Sequence, residues 1–225
     1  MPVNIENISE VLSFGKREQN KLSRLSSDIL SSSKANGLSN MDNIINDLLT
    51  VFDGTSKSKR FSLFRKNSIQ NVESQVMDLT SKLEVSYINL LNNVHDMQNL
   101  FNGIALINEE IKAKISEGDQ FVSTHSDKNK ENIERFKSVL HSLEISTVIA
   151  SQMMAQVQTI ITADKVLVRK IKFTIQNTIP IWRNSNISAS DPDPVIEELK
   201  AALSECQKNI KEYEKFQLIS QVKER

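Results

Sequence analysis

The sequence predicts an all-α fold, and three observations carry the prediction. Aromatic residues are 5% of the 225-residue chain, and it holds five glycines and four prolines, too few β-formers and turn residues for a sheet protein. Two apolar stripes, each about 50 residues long, advance by steps of three and four residues, the helical period. A polar link separates them, so the two stripes hide each other by packing side by side in opposite directions. The expected architecture is an elongated antiparallel helical hairpin or coiled-coil bundle, with short N-terminal helices and a C-terminal helix. Its expected boundaries are residues 1–56 for the short helices, 57–66 for a basic linker, 67–190 for the hairpin and 191–225 for the last helix.

Each element has its own signal. Ile8, Val11, Leu12, Leu22, Leu25 and Ile29 read as one first helix ending in the serine run Ser31 to Ser33. Gly37 and Gly54 bracket a second amphipathic unit with Met41, Ile44, Ile45, Leu48, Leu49 and Phe52 on a broad face. From Asn67, Ile69, Val72, Val76, Leu79, Leu83, Tyr87, Leu90, Val94, Met97, Phe101 and Ile104 form the first long stripe, which Ile107, Ile111 and Ile115 extend to Gly118. The four-residue steps at Leu79, Leu83 and Tyr87 read as a stutter in the heptad. Gly118 to Lys130 reads as the link. The second stripe runs from Ile133 and Phe136 through Leu140, Leu143, Ala150, Val157, Asp164 and Ile171 to Trp182. After Ser190, Asp193 as N-cap, Pro194 in the first turn and the acids Glu197 and Glu198 announce a last helix with Leu199, Leu203, Cys206, Ile210 and Tyr213 as its seam.

Composition narrows the function. Lys plus Arg and Asp plus Glu are 28 each, so bulk charge calls for no nucleic-acid partner. One cysteine excludes an internal disulfide, and a reducing cytoplasm is the simplest compartment. The opening MPVNIENISE lacks a basic start with an apolar run, and no apolar stretch approaches the ~18 residues that span a bilayer, so the chain is expected to be soluble or at most membrane-peripheral.

No glycine-rich phosphate loop, nucleophile elbow or zinc-peptidase motif appears, and no flavin, haem or iron–sulfur signature, so neither catalytic residues nor cofactors are assigned. His95, His125 and His141 are scattered, and His141 with Glu144 reads as a surface pair rather than half of a metal site. Cys206 on an apolar seam reads as a small buried hydrophobe before a reactive thiol. Asp164 interrupts the second stripe as a device for register or partner choice. Lys165, Arg169 and Lys172 share a face that reads as solvated before it reads as an anion site. Lys57, Lys59, Arg60, Arg65 and Lys66 surround Phe61, Leu63 and Phe64, the mixture by which interfacial segments meet acidic membranes, although a bend capped by its aromatics explains it as well.

The most informative stretch is Ile175 to Asn184, IQNTIPIWRN, with the only tryptophan and a proline inside a helical pattern. Pro180 should bend or end its helix, and Trp182 is placed to cover the bend. Leu167, Lys170, Ile171, Thr174, Ile175, Asn177, Thr178, Ile179, Pro180, Trp182 and Arg183 resemble the signature helix of the bacterial toxic-anion (tellurite) resistance family, the TelA-like proteins. Phe14, Gly15, Gln19, Leu22, Ser27 and Asp28 are similar to that family's opening helix, and Phe61 to Phe101 to its basic bend and long coil. The tail after Ser190 has no counterpart. The resemblance implies a cytoplasmic stress-tolerance factor. Its signature and docking residues would be Lys170, Asn177, Thr178, Pro180, Trp182 and Arg183. A scaffold or adaptor holding protein partners is the leading reading. The alternatives are a membrane-peripheral coil that protects the envelope and an oxyanion-modifying enzyme that uses Cys206.

Overall fold

The computed structural model describes residues 4–34, 38–57, 65–125, 129–187 and 193–222. Among them there is helix and no strand. In order come α1 (Ile8–Ser13), α2 (Lys16–Lys34), α3 (Leu38–Lys57), α4 (Arg65–Thr124), α5 (Lys130–Phe173), a π-helical turn (Thr174–Thr178), α6 (Ile179–Ile187) and α7 (Asp193–Val222). The fold class is all-α, as the sequence predicts.

The two long helices carry a strict heptad. In α4 the row Val76, Leu83, Leu90, Met97, Ile104 and Ile111 recurs every seven residues, and none of its members is more than 1% exposed. Phe136, Leu143, Ala150, Val157, Asp164 and Ile171 repeat the same spacing and the same burial in α5. Rows of period seven are the signature of coiled-coil packing. The expected stutter is therefore overturned, because Leu83 belongs to the deep row while Leu79 and Tyr87 are only half-buried beside it.

Two compact units share these helices, residues 1–34 with 95–161 and residues 35–94 with 162–225. In the first, Asn7 caps α1 by accepting from the Ser9 amide (3.1 Å) and donating to Glu10 (2.9 Å). The expected first helix is broken in two by Gly15, whose φ of +71° favours glycine. A Cβ there would also lie 2.6 Å from Leu143, so the backbone approaches α5 where only glycine fits. The serine run does not stop α2, which continues to Lys34. Lys21 pairs with Glu110 (2.7 Å), and Gln19 donates to the hydroxyls of Ser142 (3.1 Å) and Ser146 (3.0 Å), fixing α2 across α4 and α5. Phe14 and Phe121 both set ring edges against Phe136.

Gly118 corrects a second expectation. It lies inside α4 rather than at its end, because Leu140 packs onto its Cα and a Cβ would collide with that side chain. The helix runs on to Thr124, so the expected link contracts to the residues around 125–129. Gly54 likewise lies inside α3 with open space around it, and does not bracket the helix. Both glycines were legible as breaks only under the rule that glycine disfavours helix, which close packing or a supporting tertiary face overrides.

In the second unit α3 packs on α7. Ile44, Ile45, Leu48 and Phe52 are buried on one side, and Leu199, Leu203, Cys206 and Ile210 on the other. Lys200 bridges to Asp53 (2.8 Å), and the hydrogen bond to that carboxylate raises the lysine's pKa above its ordinary value. Asp164, in the deep row of α5, accepts from the Asn93 amide of α4 at 2.8 Å. Burial of a carboxylate is costly without such partners, and the pair ties one register of the two helices together.

Candidate functional site

The signature segment begins where α5 gives way to the π-helical turn. Proline has no N–H to give to the carbonyl one turn back, and its ring crowds that carbonyl. Before Pro180 the backbone widens, with the Ile179 N–H reaching five residues back to the Thr174 carbonyl. The expected kink is thus realised as a wide turn followed at once by α6. Two side chains bond into the widened stretch. Thr174 Oγ1 donates to the Lys170 carbonyl (3.1 Å), and Asn177 Nδ2 to the Phe173 carbonyl (3.3 Å).

Three other helices meet this segment. Trp182 is 2% exposed and sets its indole edge-on to Phe52 of α3, with centroids 5.2 Å apart and planes at 77°. Arg183 Nε donates to Glu73 of α4 at 2.6 Å. Lys170 Nζ reaches Glu205 of α7 at 2.6 Å and holds that carboxyl below its ordinary range. Thr178 is buried one turn before Trp182, and neither its Oγ1 nor the indole Nε1 has a hydrogen-bond partner among the described residues. Of the sequence-assigned signature residues, Thr178 and Trp182 turn into the packing, Lys170 and Arg183 tie neighbouring helices, and Asn177 and Pro180 lie on the exposed side.

That exposed side is apolar. Phe173 is 58% exposed and Ile181 52%, and with Asn177 and Pro180 they follow one face of the continuing helix. Arg169 and Lys172, both exposed, flank them. Phe173 and Ile181 were not singled out from the sequence. Their phase opposite the seam was the signal available.

Beside the strip lies a groove of about 260 Å³ between α5, the π turn and α7, lined by Arg169, Lys170, Phe173, Thr174, Ala202, Glu205 and Cys206. The Cys206 thiol at its floor is 2% exposed, and burial pushes its pKa up, offset in part by a hydrogen bond with Thr174 and by the Lys170 charge. A buried, protonated thiol is a poor nucleophile.

The remaining sequence candidates lie apart. His141 Nδ1 is 3.1 Å from Glu144 on an exposed face, and no group of three or more metal-ligating side chains occurs among the described residues. Lys57 closes α3, and Arg65 and Lys66 open α4. Lys59, Arg60, Phe61, Leu63 and Phe64 lie outside the described residues. No described helix is long and apolar enough to cross a membrane.

Residues 104–191 match the sequence model of the toxic anion resistance protein (TelA) family. The matched stretch contains the whole signature segment and supports the resemblance read from it. No curated protein and no solved structure matches the chain.

Proposed function

We propose that this chain, similar to the toxic anion resistance proteins over residues 104–191, is a non-enzymatic helical adaptor in bacterial tolerance of anions such as tellurite. One observation carries the reading. Within the matched stretch the packing occupies Thr178, Trp182, Lys170 and Arg183, and leaves Phe173 and Ile181, two large apolar groups, more than half exposed beside Asn177 and Pro180. A helix face with apolar anchors and flanking cations suits a protein partner whose surface is apolar and acidic. The burial of Cys206 argues against the thiol acting on the anion. The cytoplasm, where a lone cysteine remains reduced, is the compartment this function needs.

The test is the double variant Phe173→Ser/Ile181→Ser in cells that depend on this protein for tellurite tolerance. Both positions are exposed, so stability should stay within about 0.5 kcal/mol of the parent. Tolerance is expected to fall to that of the deletion strain. Full tolerance at normal protein level would sink the proposal.

A further inference from the structure

A different surface, on α5 in the first unit, carries a second inference. From Ile145 to Ile161 there is no charged residue, although a quarter of the chain is charged and the preceding turns hold Glu131, Glu134, Arg135, Lys137 and Glu144. The deep row, Leu143, Ala150 and Val157, faces the packing. The opposite side, Ile145, Val148, Ile149, Gln152, Ala155, Gln156 and Thr159, is exposed. A solvated helix face ordinarily carries charge, whereas the centre of a protein interface is depleted of it. Ile145 is 50% exposed, Val148 57% and Ile149 45%, so the face presents three adjacent branched apolar side chains to water.

Size varies along this face in a way that points to its occupant. The first half is branched and apolar, Ile145, Val148 and Ile149, whereas the second half offers the small Ala155 and Thr159 beside the polar Gln156. A second α5 laid antiparallel, with a two-fold axis at Gln152, sets Ile149 against Ala155, Ile145 against Thr159 and Val148 against Gln156. Large meets small at the Ile149–Ala155 and Ile145–Thr159 pairings, which lets the helices approach to the usual 8–10 Å there, while Val148 meets the longer, flexible Gln156. A parallel copy would set large against large at one end and leave a gap at the other. Because the face is uncharged, two copies bring no like charges together over a contact of about 25 Å. We propose that this chain forms a two-fold homodimer through the uncharged face of α5, residues 145–159.

Sedimentation of the full chain over rising concentration, to about 100 µM, should show a monomer–dimer equilibrium. Ala155→Arg and Ile149→Lys are both exposed substitutions that should leave helicity and melting unchanged, and each should weaken dimerisation roughly 100-fold, because the two-fold axis buries two added charges at once. Under mild oxidation Gln152→Cys should yield a covalent dimer, whereas Ile145→Cys should link only when Thr159→Cys is also present. Cys206 is buried, and the parent protein controls for it. A protein monomeric at the highest concentration overturns the proposal. So does a dimer indifferent to both charged variants, which would leave the face to another partner, or an Ile145→Cys chain that links to its own copy as readily as Gln152→Cys.

Discussion

Trp182 and Cys206 show how burial decides what a side chain can do. The indole fills the space between α6 and Phe52, so Trp182→Ala should cost about 3–5 kcal/mol in a denaturant melt, as large aromatic truncations in a core do. Trp182→Phe keeps most of the contact and removes an indole N–H that has no partner among the described residues, and should cost about 1.5 kcal/mol or less. A cost near zero for the alanine variant would show that the indole is not packed in solution. Cys206 has its pKa raised by burial, so its folded-state value lies above that of the unfolded chain. An acid of this kind contributes stability that is complete below the unfolded pKa, about 8.5, and is lost as pH rises toward the folded value. Native protein at pH 8 should therefore react with iodoacetamide far more slowly than unfolded protein, and stability should fall in the alkaline range beyond about pH 8.5 in the parent but less in Cys206→Ala. Equal alkylation rates for native and unfolded chains would contradict the burial.

At the scale of elements, the wide turn before Pro180 is the feature on which most contacts depend. Pro180→Ala restores an amide and the best helix former, which favours closing the turn to ordinary α geometry. Closing it rotates everything beyond Thr178 against α3, α4 and α7, so the gain in helix propensity is set against Trp182–Phe52 and Arg183–Glu73. The expected result is unchanged helicity by circular dichroism with altered tryptophan fluorescence. An unaltered emission spectrum would show that the turn does not need the proline. The glycines give a matched pair. Gly118→Ala forces Leu140 aside and should cost about 1–3 kcal/mol, whereas Gly54→Ala meets open space and should gain up to about 1 kcal/mol. Helix periods, the terminal helix behind Pro194 and the weight of Trp182 were legible in the sequence because apolar spacing and helix-start chemistry are local. The helical placement of Gly118 and Gly54, the seven-residue rows and the π turn were not. Gly118 and Asp164 are settled by neighbours distant in sequence, Leu140 and Asn93, which the local pattern does not contain.

In the molecule as a whole, two compact units share α4 and α5. The second holds the signature segment as a packing node with an apolar strip outside. The first presents the uncharged face of α5. The family match spans residues 104–191 and so touches both. The candidate site was half legible. The sequence pointed to Lys170, Asn177, Thr178, Pro180, Trp182 and Arg183, but their partners Glu205, Glu73 and Phe52, and the exposed Phe173 and Ile181, required the fold. Site-specific photo-crosslinking tests the proposal that a protein partner docks on the outside of this segment. A photoreactive residue placed at Ile181 in tellurite-stressed cells should give one discrete protein adduct, absent when the same group is placed at the exposed Gln98. No adduct at Ile181 above the Gln98 background would contradict the account.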